Sequence, residues 1–509
     1  MLVAGAVVSR IFGFIRETVI AYQFGATAQT DAFLVASVVP IVVVGMVAGA
    51  IAVAFIPVFT EYRLQAGEEE AWSIASAVIN LTALALAAAT LLFIFAAPVL
   101  IPMLGPGLAP DTRELAVHLS RQLAPASVFV GMVSLSAAML NAYRHFTSPA
   151  FAGLLYNFGM IGGALLLGGF IGISGLVVGV VAGSAAHLLA LMIPLAGQKK
   201  YYRLNLRSLR HPGVKKIGLL LLPFVVASAA SQINILVDRI LASGLAEGSI
   251  SALNFAVRVQ QLPLGIFAGA AATAAYPFLA DQAAGKNVDD LRHTFSEGLR
   301  LLWFIVFPLS VGLMVLSEPI VRLLFERGAF DARATQMTAV ALLYYSLGIF
   351  AHAACVMLVR VYFAMQDTAT PVKLGFCAVG LNIVLNLILV RSMAHGGLAL
   401  ATSIAALANC LLLAYCLRRR LGHLDGQRIL CAAGKFAIAS LAMALAVYAA
   451  HGYSAAYFDS ALLAHRLLQM GSLIALGGVV YIGATALLKT EELARVITLV
   501  RARLFPGSA

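Results

Sequence analysis

Residues 250–279 read ISALNFAVRVQQLPLGIFAGAAATAAYPFL, thirty positions with a single charge, Arg258. An apolar run of about 20 residues is long enough to cross a bilayer as a helix. A guanidinium inside such a run costs at least roughly 2.5 kcal/mol and stays charged. Pro263 removes a backbone donor and bends the helix near that point. Gly265 and Gly269 form a GxxxG step that lets another helix approach closely. Arg258 has no acid within one turn, and Gln261 shares its face at i+3. The stretch therefore predicts a kinked membrane helix whose arginine meets a ligand or another helix.

The same pattern recurs along the whole chain. Of the 509 residues, 61% are hydrophobic and 11% charged, and the mean hydropathy is +0.95, against about 25% charged residues in soluble domains. Fourteen apolar runs are read as spans: 3–24, 31–60, 73–103, 115–142, 149–171, 174–195, 217–242, 250–279, 300–324, 335–364, 371–391, 396–417, 430–450 and 467–488. No signal peptide is read at the start. With the N-terminus inside, most of the 34 Lys and Arg fall in inner loops and the C-terminal tail. This predicts cytoplasmic N- and C-termini. The net charge of +12 is then a topology signal, not a nucleic-acid signal. The five cysteines read as small buried hydrophobes.

The basic segment 198–216, QKKYYRLNLRSLRHPGVKK, divides the chain. It reads as a cytoplasmic linker, either a solvated connector or a piece lying on anionic lipid. The expected organisation is an N-lobe of six spans (1–197), the linker (198–216), a C-lobe of six spans (217–420), and two further helices with a tail (421–509). Two six-helix bundles around a central cavity are a common transporter plan.

Three more arginines are read as intramembrane: Arg10, Arg16 and Arg239. Arg10 either lines a cavity or snorkels to the inner interface. Arg16 favours a cavity and is partly neutralised by Glu17. Asp31 follows a short outer turn and either binds a ligand or caps the second span. In the seventh span Asp238 and Arg239 point about 100° apart, so Arg239 is expected to snorkel outward and Asp238 to need a partner. Asn382, Asn386 and Thr402 offer two amides and a hydroxyl. Together with Asp238 they form either a cage for a hard cation such as sodium or a set of interhelical hydrogen bonds. There is no Walker loop, no GxSxG and no HExxH, so no P-loop ATPase, serine hydrolase of that type or zincin is expected.

These residues sit in segments that resemble the MurJ/MviN family of lipid II flippases in the multidrug/oligosaccharidyl-lipid/polysaccharide (MOP) exporter superfamily. The matching segments include SRIFGFIRE (9–17), FGATAQTDAFLVA (24–36), AFIPVFTEYR (54–63), LNAYRHFTSPAF (140–151), residues 233–280, PIVRLLFERGAF (319–330), YFAMQDTATPVK (362–373) and GGLALATS (396–403). The resemblance implies an all-α polytopic membrane protein of about fourteen transmembrane helices, V-shaped, with two six-helix lobes and two added helices. It implies a non-enzymatic flippase in the bacterial inner membrane that works by alternating access. The substrate would be an undecaprenyl-diphosphate-linked glycan, lipid II first. The prenyl tail would lie along the last helices. The resemblance assigns Arg10, Arg16, Glu17, Asp31 and Arg258 to substrate handling, with Gln261 beside Arg258. It adds a sodium site at Asp238, Asn382, Asn386 and Thr402, no other cofactor, and cell-wall synthesis proteins as partners. No motif demands an oligomer, so a monomer is expected.

The stretch PIVVVGMVAGAIAVAFIP (40–57) departs from the family, which usually carries an arginine pair and an acid there. The alternative substrate is therefore another polyprenyl-linked oligosaccharide. A cation-coupled drug exporter and a non-transporting scaffold are the remaining readings.

Overall fold

A computed structural model describes residues 2–204, 211–454 and 463–504. The middle of the expected linker, 205–210, lies outside the described residues, so the reading of an amphipathic piece there has no structural counterpart. All regular elements are helices, and there is no strand among the described residues.

The first half comprises α1 (Leu2–Phe24), α2 (Ala28–Ala36), α3 (Val44–Gln65), α4 (Glu68–Leu104), α5 (Pro110–Ala142), α6 (Thr147–Gly162), α7 (Gly168–Ile171), α8 (Ser174–Leu195) and α9 (Pro212–Ser243). π-helical turns at Val38–Val43 and Gly163–Leu167 interrupt the second and fifth spans. The first of these turns holds Pro40, which cannot donate into a regular helix. Helix starts carry their local signals: Pro110 and Pro212 at the first turn, the acid run Glu68–Glu70 at the positive end of α4, and His211 capping α9 by accepting from the Gly213 N–H at 3.0 Å.

The second half comprises α10 (Ser249–Pro263), α11 (Gly269–Ala284), α12 (Val288–Val315), α13 (Ser317–Phe325), α14 (Ala332–Ser346), α15 (Ile349–Ala364), α16 (Ala369–Leu421), α17 (Gly426–Ser454), α18 (Leu463–Leu487) and α19 (Glu491–Leu504). A π-helical turn, Leu264–Ala268, follows Pro263, where the sequence predicts a bend. The 53 residues of α16 contain a break at Ala394 (φ 48°, ψ −131°), so they hold both the expected eleventh and twelfth spans.

Each of the fourteen expected spans falls on these helices. Among the described residues nine helices are long and apolar enough to cross a membrane, ten if α14 and α15, bent by 46°, count as one. α16 counts once. α1 falls outside that number because Arg10, Arg16 and Glu17 crowd its 23 residues.

The chain forms two compact units. Unit 1 is Met1–Ser251 with Arg327–Ala334. One of its cores joins Phe55 and Phe59 of α3, Trp72 and Ile74 of α4, Met139 of α5 and Ile217 of α9. α6 and α8 touch backbone to backbone, because a Cβ on Gly159 would overlap Gly183. Unit 2 is Ala252–Glu326 with Thr335–Ala509. One of its cores packs Phe295 of α12 on Tyr362 of α15 and Leu417 of α16. Another packs Phe304 on Phe436 of α17 and Tyr481 of α18. The boundary differs from the 198–216 division by one helix. α9 lies on α3 and α4, so it belongs to unit 1 by packing.

The cysteines form no disulfide. Cys410 is buried, whereas Cys377 and Cys431 are exposed on apolar helices, which corrects the uniform expectation of burial. Lipid-facing positions of a membrane helix accept small apolar side chains as readily as the core does.

Candidate functional site

α1 carries three of the expected site residues. Arg10 is exposed, Arg16 is mostly covered and Glu17 is buried. Arg16 is held from two sides. One terminal nitrogen donates to Asn157 Oδ1 of α6 at 3.0 Å and the other to Glu17 Oε1 at 2.5 Å. Its guanidinium lies 6.0 Å from the Tyr156 ring. The buried Nε has no hydrogen-bond partner. A guanidinium presents five N–H donors in a planar fork. Arg16 is thus oriented by protein on part of the fork and keeps an unsatisfied donor. The expected neutralisation by Glu17 is present, and Asn157 is an orienting group that the sequence reading missed. The only signal for Asn157 is a lone amide in the apolar run LLYNFGM.

α10 is two-faced. Phe255, Ala256, Val259 and Gln260 are buried, and the Gln260 amide donates to the Tyr345 carbonyl at 2.9 Å. Arg258 and Gln261 are exposed on the other side. The polar pair sits immediately before Pro263 and the π-helical turn, where the backbone changes direction. An exposed arginine on a helix otherwise suited to lipid is the arrangement expected of a group that receives a charged ligand.

Asp31 is buried, and both its carboxylate oxygens are occupied. Oδ2 accepts the Gly248 N–H at 2.8 Å. Oδ1 accepts the Ser251 N–H at 2.8 Å and the Ser251 hydroxyl at 2.5 Å. Capping is one of its two expected roles, but the helix it caps is α10 and not α2. A carboxylate at a helix N-terminus satisfies orphan donors and favours the dipole. The same end of unit 1 is drawn tight by glycines. A Cβ on Gly25 (φ 63°) would overlap the Ala329 carbonyl, and one on Gly248 (φ 86°) the Ala26 carbonyl. Ala329 N–H donates to the Tyr22 carbonyl at 2.8 Å, and Ala28 N–H donates to Glu247 at 2.9 Å.

Arg239 does not snorkel outward. It is half-buried and donates to the Leu34 carbonyl in the last turn of α2, where carbonyls lack helical partners. Asp238 accepts from the Asn234 amide at 3.4 Å.

In unit 2, Asn382, Asn386 and Thr402 come together. Asn386 Nδ2 donates to Asn382 Oδ1 at 2.8 Å, Asn382 Nδ2 donates to Thr402 Oγ1 at 3.4 Å, and Thr402 donates to the Leu398 carbonyl at 3.1 Å. The Asn382 and Thr402 oxygens that would ligate a cation thus accept from amides. This set is arranged as a hydrogen-bond relay across the α16 break. No group of three or more His, Cys, Asp or Glu with metal-holding geometry occurs among the described residues.

A further charge group escaped the sequence reading. Arg300 of α12, at the first position of the expected ninth span, is buried with Glu492 of α19 at 2.5 Å and reaches Glu491 at 3.1 Å. Its partners lie about two hundred residues away, so local pattern cannot reveal them.

Helices of this order and pairing define an all-α, multi-span membrane fold, and a solved inward-facing multidrug-resistance MATE transporter of the MOP superfamily shares it at 15% identity, with a TM-score of 0.72 over 82% of this chain and 96% of its own. Within that class the particular family is plain: the family model "Lipid II flippase MurJ" matches residues 20–468, and the chain belongs to that family. It is 31% identical to a lipid II flippase MurJ of Burkholderia cenocepacia over 81% of both chains. It is 33% identical to a probable lipid II flippase MurJ of Vibrio cholerae, covering 87% of this chain and 86% of the relative. A solved lipid II flippase MurJ in an inward closed conformation matches with a TM-score of 0.81 at 27% identity, over 96% of this chain and 98% of its own. The chain is a multi-span membrane transporter and not an enzyme.

Proposed function

We propose that this chain is a flippase that carries lipid II from the inner to the outer leaflet of the bacterial cytoplasmic membrane by alternating access. Its termini lie on the cytoplasmic side and it acts as a monomer. Family membership supports the reading, and the observation that carries it is Arg258, the one charged residue of α10, exposed beside Gln261. Arg10, Arg16 and Arg258 supply charge-assisted donors to the diphosphate oxygens. Glu17 and Asn157 hold the Arg16 fork, so less ordering is needed when the substrate arrives. Asp31 acts through the backbone it caps. No step is routed through a cation. Cell-wall synthesis proteins remain the partners that a lipid II carrier would serve.

The test is complementation of a bacterium depleted of its own lipid II flippase. Wild-type chain restores growth. Arg258→Ala at equal membrane abundance does not, and growth supported by that variant would sink the assignment of Arg258. A second reading rests on the uncharged stretch 40–57: another polyprenyl-linked oligosaccharide is the substrate. Failure of the wild-type chain to complement, despite membrane insertion, selects it.

A further inference from the structure

Away from these arginines, unit 1 contains a concavity. α3, α4 and α9 enclose an apolar groove of about 250 Å³, lined by Ile51, Val78, Leu81, Ala85, Ile217 and Gly218 among others. A Cβ added at Gly218 would meet nothing within 4 Å, so the groove is open at that helix position. It starts at Val214, in the first turn of α9, and runs along the helix past Gly218 to Leu221.

Charge marks the same end. The segment Gln198–Lys216 holds seven Lys and Arg and no Asp or Glu. Its described part is clamped beside the groove. Arg203 N–H donates to Ser76 Oγ at 3.1 Å, the Asn80 amide donates to the Arg203 carbonyl at 3.2 Å, and the Tyr202 hydroxyl donates to Asn80 Oδ1 at 2.6 Å. Three acids of this end already hold a base each: Glu61 with Lys216 at 2.6 Å, Glu69 with Arg203 at 2.6 Å and Glu70 with His211 at 2.7 Å. Lys215 is exposed, makes no ion pair among the described residues, and precedes Gly218 by one turn. An ammonium at a helix end, one turn before an apolar groove, matches a lipid phosphate followed by its chain. The arginines assigned to the diphosphate lie within spans, whereas Lys215 lies at a span end. That level is where a phospholipid carries its phosphate.

We propose that the groove between α3, α4 and α9 binds one acyl chain of an anionic phospholipid whose phosphate pairs with Lys215. The lipid fastens the start of α9 to α3 and α4.

The full-length protein, purified in detergent, is titrated with phosphatidylglycerol or phosphatidylcholine of the same chains and read by native mass spectrometry. Wild type retains one phosphatidylglycerol in preference to phosphatidylcholine. Gly218→Leu fills the groove and lowers that retention about tenfold, the loss expected from excluding about two methylenes. Ala85→Leu does the same from α4 and serves if Gly218→Leu does not fold. Lys215→Gln removes the preference for phosphatidylglycerol and leaves phosphatidylcholine retention as it was. Equal retention of the two lipids by wild type, or unchanged retention in both groove variants, overturns the proposal. Displacement of phosphatidylglycerol by an undecaprenyl phosphate also overturns it and gives the groove to a prenyl tail.

Discussion

Asp31 shows how one side chain can hold backbone groups from a distant part of the chain. Its carboxylate satisfies two buried N–H groups and a hydroxyl at the head of α10. Asp31→Ala orphans those donors at about 1–3 kcal/mol each, and Asp31→Asn, which keeps an acceptor, costs less. Thermal melting in detergent should rank wild type, Asn and Ala in that order; equal melting of Asn and Ala would refute the capping role. The acid itself stands out in the sequence beside a short turn. Its partners, more than two hundred residues away, do not, because a cap across the fold leaves no local spacing. The pairing of Arg16 with Glu17 is legible because the two are adjacent. Asn157, which completes it, is legible only as an amide out of place.

At the scale of the element, the bend after Pro263 follows from a residue that cannot donate, and the chain places a π-helical turn there. The break in α16 follows from a different signal, the Gly396–Gly397 pair: a Cβ on Gly397 would overlap the Leu389 carbonyl. Ala394 adopts φ 48° without being glycine and without a proline nearby. Left-handed backbone costs an L-residue roughly 1–2 kcal/mol. Ala394→Gly should therefore raise the melting temperature, by about 1 kcal/mol of stability, and Ala394→Val should lower it. If the glycine variant melted lower, the break would not be strained. Hydropathy locates both spans on either side of Ala394, but it does not say that the second folds back along the first, bringing Thr402 to 3.4 Å from Asn382.

For the molecule as a whole, apolar runs place the spans because a bilayer requires backbone donors to be satisfied within each helix. How the helices group is less legible: α9 joins α3 and α4 through contacts such as Ile217 on Ile74 that no periodicity encodes. Ion pairs outside the spans tie distant segments together. Arg420, at the end of α16, meets Asp367, before its start, at 2.5 Å. Burial works to raise the Asp367 carboxyl. Hydrogen bonds from the Thr370 side chain and N–H, with the Arg420 charge, outweigh it and hold the group below the usual carboxylate range. A depressed carboxyl contributes stability above its unfolded value, about 3.9, and loses it as pH falls through the folded value. Melting followed from neutral pH downward should fall more in wild type than in Asp367→Asn, and parallel curves would remove Asp367 from the acid response.

The glycines at Gly25 and Gly248 carry a consequence of another kind. Where they meet Ala329 and Ala26, peptide lies directly on peptide, and the carboxylates of Asp31 and Glu247 latch the same place. Such faces part once those hydrogen bonds let go. Once apart, they expose groups that water solvates well. A methyl wedged at either glycine would make itself known less as a protein that fails to fold than as a door that no longer shuts.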